Sequence, residues 1–146
     1  MIELKQMSDL DQLLAWRREV IENVFDTIPS DELMEQNRDF YIRHLADGSH
    51  LAFLALEDGE EAGCGAVCLT EELPSPDNHS GKCAYIMNIY VREKFREQGV
   101  AHAIVIRLIE EAKKRGADKI YLETTPQARP VYESIGFHDL PDMMKL

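Results

Sequence analysis

The sequence predicts an α/β protein with a mixed β-sheet flanked by about four helices. Three observations support this fold class: strand-like apolar runs alternate with amphipathic segments, an Asp-Gly pair separates two of the runs, and one segment has the order strand–helix–strand. The Asp-Gly pair predicts an antiparallel hairpin, whereas a strand–helix–strand crossover joins parallel strands. The 146 residues suit a single domain, 1–146, because a chain of about 150 residues can bury roughly 70% of its unfolded surface.

The N-terminal third predicts one strand followed by two helices. Residues 2–7 form the strand, and Ser8 is expected to cap a helix whose first turn is acidic. Apolar residues recur at helical spacing until Pro29, where that helix must end. Ser30 then caps a second helix, and Gly48 closes it.

The middle of the chain predicts a hairpin and a surface loop. Residues 50–56 and 62–69 have the composition of strands, and Asp58-Gly59 between them is a strong hairpin signal. Residues 71–82 combine prolines with Gly, Asn and Ser, which is typical of a surface loop.

A strand–helix–strand crossover follows this loop. Residues 83–91 predict a strand, and a polar connection, 92–98, leads to a helix that Gly99 opens and Gly116 closes. Basic residues near the end of this helix complement its dipole. Residues 119–124 predict the next strand, which should lie parallel to 83–91.

The C-terminal segment predicts a short helix and two edge strands. Thr125 is the expected N-cap of the helix, Pro126 its first residue and Gly136 its end. Residues 137–140 and 143–146 are expected to add edge strands, which could also pair across a homodimer.

Charge and composition exclude several classes of protein. The net charge is −11, from 16 Lys+Arg against 27 Asp+Glu, so the basic surface typical of nucleic-acid binding is absent. No apolar run is long enough to cross a membrane, and the N-terminus lacks the pattern of a signal peptide. We therefore expect a cytoplasmic protein without nucleic-acid or membrane partners.

The cysteines and histidines predict neither disulfides nor a metal site. Cys64, Cys68 and Cys83 are odd in number and form no CxxC pair. Cys64 and Cys68 would point to one face of a strand, where small buried apolar residues are the expected role. The five histidines are scattered and include no HExxH motif, so no metal is expected.

The connection before the long C-terminal helix predicts a binding site for an anion. The first N–H groups of a helix have no partner inside it and favour negative charge. Gly99 and Ala101 would let a ligand approach this backbone, and Arg92, Lys94 and Arg96 place positive charge beside it in an acidic protein. These features indicate a phosphate or pyrophosphate site, with an ordinary strand–helix connection bearing solvated charges as the alternative.

Two segments carry a resemblance to a known family. The first, residues 96–101, is similar to the R/Q-x-x-G-x-G/A acyl-CoA-binding signature of the GNAT N-acetyltransferase superfamily. The second, residues 128–137, resembles that family's A-x-x-L-Y-E-x-x-G-F segment. The two segments occur in the family's order, with a helix and a strand between them.

The resemblance implies a mixed, mostly antiparallel sheet splayed between its fourth and fifth strands, with acetyl-CoA in the cleft. The backbone of Ile89 and Val91 would hold the pantetheine arm and thioester, and the N–H groups at the helix start would bind the pyrophosphate. The implied cofactor-binding residues are Ile89, Tyr90, Val91, Arg96, Glu97, Gln98, Gly99, Val100 and Ala101.

Tyr132 matches the family tyrosine that lies near the sulfur of CoA. Its phenol, with an ordinary pKa of about 10, could donate a proton to a departing thiolate. The alternative is a packing residue whose hydroxyl bonds to the backbone. Two positions depart from the family pattern: Thr125 stands where many members have Asn, and Pro130 is expected to kink the short helix.

The general base and the acceptor site stay open at the sequence level. Tyr85, Asn88, Glu123, Glu71 and Glu72 are candidates for the base, and a water molecule is an equal alternative. The acceptor candidates are Trp16, Arg17, Phe25, Arg38, Tyr41 and His44.

The sequence thus predicts an N-acetyltransferase that moves the acetyl group of acetyl-CoA to a primary amine of a small molecule or peptide. Direct attack in a ternary complex is expected, because no cysteine has the surroundings of a nucleophile. The alternative is a CoA-binding or ligand-sensing module of the same fold without turnover.

Overall fold

Five strands form one sheet in which spatial order equals chain order, β1-β2-β3-β4-β5. The computed structural model describes residues 1–146. The strands are β1 (Ile2–Met7), β2 (His50–Glu57), β3 (Glu60–Glu71), β4 (Lys82–Val91) and β5 (Lys119–Leu122). The helices are α1 (Leu10–Val24), α2 (Asp31–Ala46), α3 (Val100–Lys114) and α4 (Arg129–Ile135), and one turn of 3₁₀-helix, Glu93–Phe95, precedes α3.

The sheet is mixed, as predicted. β1 to β4 pair antiparallel, while β4 and β5 pair parallel. Asp58 and Gly59 both have positive φ, which is the backbone of the tight hairpin turn that their sequence predicts. None of the helices combines the length and apolar composition that a membrane crossing requires.

The sheet opens between β4 and β5. Their register runs only from Cys83↔Lys119 to Ile86↔Leu122, so the second half of β4 has no strand on that side. The register between β3 and β4 shifts near Asn88, whose φ of +58° is unusual for a residue other than glycine. This bulge lies where the opening begins, which confirms the splay between the fourth and fifth strands.

The helices cover both faces of the sheet. α1 and α2 pack on a cluster that includes Leu13, Trp16 and Tyr41, whereas α3 and α4 pack on one that includes Ile104 and Tyr132. Close packing of α3 requires glycine at position 65 of β3, because a Cβ there would lie 2.4 Å from a methyl carbon of Ile104. The fully buried residues of α3 are Val100, Ile104, Val105, Leu108 and Ala112.

The N-caps of α1 and α2 show how closely residue type locates the start of a helix. Ser30 caps α2 as predicted, accepting a hydrogen bond from the Leu33 N–H at 3.1 Å. The prediction that Ser8 caps α1 is wrong by one residue, since Asp9 accepts from the Asp11 N–H at 2.9 Å. Both residue types are good N-caps, so two adjacent candidates cannot be separated by type.

The predictions for the C-terminal segment are wrong in several respects. The short helix begins at Arg129, because residues 126–128 form a turn in which the Thr125 hydroxyl accepts from the Ala128 N–H. Pro130 therefore lies in the first turn of α4, where its missing N–H is not needed, and causes no kink.

The two predicted edge strands are absent. Residues 137–140 and 143–146 have no strand structure. The Phe137 N–H instead donates to the carbonyl of Tyr132, and its ring packs edge-on against the Tyr132 ring at 6.0 Å. The segment after α4 thus folds back on the helix rather than extending along the sheet. Gly136 ends α4 as predicted.

Candidate functional site

The chain turns sharply between β4 and α3. Gly99 is the N-cap of α3 with a φ of +82°, and Glu97 has a φ of +61°. A positive φ is common for glycine but strained for glutamate. Such strain at a strand–helix junction often accompanies a functional loop, because the surrounding fold must hold it in place.

The start of α3 presents a row of free hydrogen-bond donors. None of the backbone N–H groups from Gln98 to His102 donates a hydrogen bond within the chain, and the first helical bond runs from Ala103 to the carbonyl of Gly99. A Cβ added at Gly99 would meet no atom within 4 Å, so the space in front of these donors is open. This arrangement suits an anion such as phosphate or diphosphate.

The charges beside this turn differ from the sequence prediction. Arg92 makes a bidentate ion pair with Glu19, at 2.8 and 2.9 Å, and Lys94 pairs with Glu60 at 2.8 Å. Both cations are therefore already paired and do not add free positive charge to an anion site at the turn between β4 and α3. Arg96 makes no ion pair, and its Nε donates to the carbonyl of Val91 at 3.0 Å, which braces the end of β4.

The three β4 residues expected to hold a ligand lie in the uncovered half of the strand. Ile89 and Val91 pack toward the α3 side of the sheet, and Tyr90 packs on the opposite side, where its ring lies 6.4 Å from that of Trp16. The Tyr90 side chain is thus part of the α1 cluster.

Tyr132 lies at the other side of the opening, on the helix that follows β5. It belongs to the same buried cluster as Val100, and it is 6% exposed. Burial raises the pKa of its phenol, so the hydroxyl keeps its proton at neutral pH. That hydroxyl makes no hydrogen bond within the chain, which contradicts the alternative of a hydroxyl tied to the backbone.

The parallel pairing explains why these parts meet. Since β4 and β5 run in the same direction, their carboxyl ends lie at one edge of the sheet. The start of α3 follows the first of these ends and α4 follows the second. Ligands commonly bind at the carboxyl ends of parallel strands, where helices begin.

A cavity of about 930 Å³ lies between β5, α4 and the last residues of the chain. Tyr121, Glu123, Tyr132 and Arg129 line it. Arg129 pairs with Asp139 and thereby holds the C-terminal segment at the rim of the cavity. Tyr132 is therefore accessible from this side of the molecule.

The candidates for the general base differ in their contacts and in their exposure. Glu72 accepts from Asn78 at 3.1 Å and Lys119 at 3.2 Å, and these bonds hold its pKa below the usual value. Burial and the neighbouring Glu123 carboxylate raise the pKa of Tyr85 to about 12, so its phenol is not a base at neutral pH. Glu123 is exposed and lines the cavity.

The cysteines lack the surroundings of nucleophiles. Burial raises the pKa of Cys64 to about 12 and that of Cys68 to about 11. Cys83 is also buried, and its pKa is raised. All three are therefore thiols at neutral pH, and the thiolate is the reactive form. The structure brings together no group of three His, Cys, Asp or Glu side chains placed to hold a metal ion.

The acceptor candidates on α1 and α2 fall into different environments. Trp16 and Tyr41 are buried, Phe25 and Arg38 are exposed, and His44 stacks on Phe40 with ring centroids 4.3 Å apart. The remaining candidate, Arg17, reaches across to β4, where its Nη1 donates to the Asn88 side chain at 2.8 Å.

Two long-range contacts beside the opening were not predicted from the sequence. Arg17 pairs with Asn88, and Glu19 pairs with Arg92. The partners are separated by 71 and 73 residues, so no local pattern connects them. Arg92 also lies over the ring of Trp16, at 4.3 Å from its centroid.

Comparison with known proteins agrees with this geometry. The model of the acetyltransferase (GNAT) family matches residues 10–137. An uncharacterized N-acetyltransferase, YsnE of Bacillus subtilis, is 32% identical over 128 residues, which are 82% of this chain and 79% of that protein. Glucosamine 6-phosphate N-acetyltransferase 1 of Oryza sativa is 29% identical over 114 residues, 75% of this chain and 67% of that protein.

A solved structure supports the same assignment. The structure of a predicted acetyltransferase with acetyl-CoA from Clostridium acetobutylicum superposes with a TM-score of 0.85 at 26% identity, covering 100% of this chain and 96% of that one. The sequence resemblance rested on residues 96–101, which lead into α3, and on residues 128–137, which include α4. The chain belongs to the GNAT family of N-acetyltransferases.

Proposed function

We propose that the chain transfers the acetyl group of acetyl-CoA to the primary amine of a small molecule or peptide, by direct attack within a ternary complex. The observation that carries the proposal is the row of unbonded N–H groups from Gln98 to His102. It directly follows the half of β4 that β5 leaves uncovered. A diphosphate group at these donors would place the rest of the molecule along the open edge of β4.

The residues of this chain fit acetyl-CoA, which supplies the acetyl group as a thioester. The N–H groups of Gln98, Gly99, Val100 and Ala101 would bind the diphosphate, with Glu97 contributing backbone and Arg96 a nearby charge. The backbone of Ile89, Tyr90 and Val91 would hold the pantetheine arm. Open space at Gly99 supports this assignment, because a side chain there would project into the site.

Tyr132 is the proposed proton donor to the departing sulfur. Its hydroxyl is unbonded within the chain, and burial keeps it protonated at neutral pH. A neutral phenol can hydrogen-bond to a thiolate as it departs or pass its proton to it; since the thiol is the stronger acid in water, the hydrogen bond is the favoured form.

Direct transfer to the amine agrees with the state of the cysteines. A covalent acyl-enzyme would need a thiolate or another activated nucleophile. Cys64 and Cys68 have raised pKa values, and neither contacts a cation that would stabilise the thiolate.

Two measurements test the function. Acetyl-CoA should raise the melting temperature of the protein, and free CoA thiol should be released in the presence of acetyl-CoA and an accepting amine. If no acyl-CoA stabilises the protein, both the enzyme and a CoA-binding sensor are wrong for this chain. Stabilisation without thiol release across a broad amine panel would instead favour the CoA-binding or sensing module.

A further inference from the structure

Arg17 carries a positive charge that no side chain of the protein neutralises. It is half-buried on α1, and its guanidinium donates from Nε to Asn37 at 3.0 Å and from Nη1 to Asn88 at 2.8 Å. Both acceptors are amide oxygens. They fix the position of the guanidinium without compensating its charge, as a carboxylate would.

This arrangement is unusual within this protein, which has 27 Asp and Glu residues. The four other arginines that are held in place by side chains all have carboxylate partners: Arg92, Arg107, Arg115 and Arg129. A guanidinium has five N–H donors, and Arg17 uses two of them within the chain. Donors therefore stay available for a ligand.

The contacts that hold Arg17 in place carry no negative charge. The Asn37 amide is oriented by its own bond to the carbonyl of Leu33 at 2.9 Å, and the Phe25 ring lies 5.8 Å from the guanidinium. Two titratable groups that Arg17 influences are uncharged at neutral pH: burial raises the pKa of Tyr41 to about 12 and lowers that of His50 to about 4. The buried Cys64 thiol is likewise protonated.

Asn88 places this charge at the opening of the sheet. It lies on β4 beyond the last pair with β5, directly before Ile89, and its strained φ of +58° marks the bulge there. Its side-chain nitrogen makes no hydrogen bond within the chain, so it is a second free donor beside Arg17. An acceptor amine must reach this same half of β4 to meet a thioester held there.

We propose that Arg17 and the amide nitrogen of Asn88 bind an anionic group, a carboxylate or a phosphate, carried by the amine that receives the acetyl group. This inference rests on the proposed acetyltransferase function. A planar guanidinium is suited to both anions, since each offers two oxygens to its parallel N–H donors.

An anionic ligand is the opposite of what the overall charge of the molecule attracts. A net charge of −11 attracts cations at long range, but salt at physiological strength screens such attraction beyond about 8 Å. Contact with an uncompensated, partly buried guanidinium therefore decides which amines bind well. Amines that carry only positive charge, such as aminoglycosides, should be poor acceptors.

The kinetic test uses amines in matched pairs with acetyl-CoA: glucosamine 6-phosphate against glucosamine, and alanine against alaninamide. The two pairs separate phosphate from carboxylate recognition. One anionic member should exceed its neutral partner in kcat/KM by about 10- to 100-fold, the effect of a charged hydrogen-bonded contact. In Arg17→Gln that preference should disappear through a raised KM, while acetyl-CoA still stabilises the variant.

The matched control is Arg18→Gln, because Arg18 is also half-buried on α1 but makes no hydrogen bond or ion pair. It should keep the preference. Arg17→Lys retains the charge without the planar donors and should keep part of it. An equal or neutral-favouring ratio in the unsubstituted enzyme, or a ratio unchanged by Arg17→Gln, overturns the proposal without touching the acetyltransferase function.

If no amine of the panel is acetylated, a binding measurement tests whether Arg17 binds an anion. The Nε–H resonance of Arg17, identified by its loss in Arg17→Gln, is followed in the CoA-saturated protein during titration with inorganic phosphate and with acetate. A saturable shift with either anion supports the proposal. If both anions leave the resonance unmoved while CoA still binds, Arg17 is not an anion site. Failure of CoA itself to bind would refute the proposed function instead.

Discussion

The start of α3 and the contact between α1 and β4 both adjoin the uncovered half of β4, but they are built from different parts of the chain. At the start of α3 the donors are backbone N–H groups of consecutive residues, Gln98 to His102. At the α1–β4 contact the donors are side chains, Arg17 and Asn88, which are 71 residues apart. The first is therefore fixed by local conformation, and the second depends on tertiary packing.

This difference separates what a family shares from what a single member can vary. A backbone site tolerates most side chains, provided that the turn keeps its conformation and its open space. A side-chain site changes its ligand with one substitution. We therefore expect substitutions at the first site to affect acetyl-CoA binding, and substitutions at the second to affect the choice of amine.

The largest effect is expected for Gly99→Glu, which should abolish acetyl-CoA binding, a loss of more than about 100-fold in affinity. The added carboxylate would stand in open space directly before the donors, where it would repel a diphosphate. Isothermal titration with acetyl-CoA measures the loss. Nothing lies within 4 Å of the new Cβ, so the cost to folding is limited to the strain of a positive φ in a residue other than glycine, about 1–2 kcal/mol.

Gly99→Asn is the matched control for that substitution. Asn tolerates the positive φ better than other residues and carries no charge. It should retain measurable affinity, which would separate electrostatic repulsion from backbone strain. Unchanged affinity in Gly99→Glu would show that acetyl-CoA does not bind at the start of α3.

Tyr132→Phe should lower turnover by about 10²–10⁴-fold, the range for loss of a general acid, with little change in acetyl-CoA affinity. The ring and its packing against Phe137 are retained, so only the unbonded hydroxyl is lost. Release of CoA thiol under saturating substrates gives the turnover. Tyr121→Phe is the control, since Tyr121 lines the same cavity. Full activity in Tyr132→Phe would mean that water or another group protonates the sulfur.

The face of the sheet that α2 covers should also make the protein sensitive to acid, because His50 of β2 packs there against Phe40 and Tyr41. His50 is 3% exposed, and burial lowers its pKa from 6.5 to about 4. Between these values the unfolded chain binds a proton that the folded chain does not. The free energy of unfolding should therefore fall by about 3 kcal/mol as the pH drops from about 6.5 to about 4.

His50→Leu should remove that loss, so that its stability changes less over the same pH range. Urea unfolding of both proteins at several pH values measures the difference. His138→Gln is the control, because His138 is exposed and should leave the pH dependence unchanged. Equal acid sensitivity of His50→Leu and the unsubstituted protein would mean that other groups cause the loss.

The sequence predicted those parts of the fold that local chemistry determines. The Asp58-Gly59 turn, the Ser30 cap and the parallel crossover around α3 were confirmed. The edge strands at 137–146 failed because strand propensity says nothing about whether a partner edge is available. Phe137 found a better contact on the Tyr132 ring.

The candidate site likewise has a part that the sequence could predict and a part that it could not. The donors at the start of α3 were predictable, because helix geometry alone leaves the first N–H groups unpaired. The cluster of positive charge was not, since Glu19 and Glu60 neutralise Arg92 and Lys94 from distant parts of the chain. Arg17 was named as one acceptor candidate among six, but its uncompensated charge became visible only from its two amide partners.

The smallest effect is expected for Arg96→Gln, which should weaken acetyl-CoA binding by roughly threefold, the range for an exposed charge. Arg96 is exposed, so water and salt already screen its attraction for a diphosphate, and the backbone donors beside it are unchanged. Isothermal titration compares it with Lys94→Gln, whose charge is already paired with Glu60 and which should bind normally. A loss in Arg96→Gln as large as that in Gly99→Glu would mean that side chains, rather than backbone N–H groups, dominate binding at the start of α3. The contrast between the two regions would then fail.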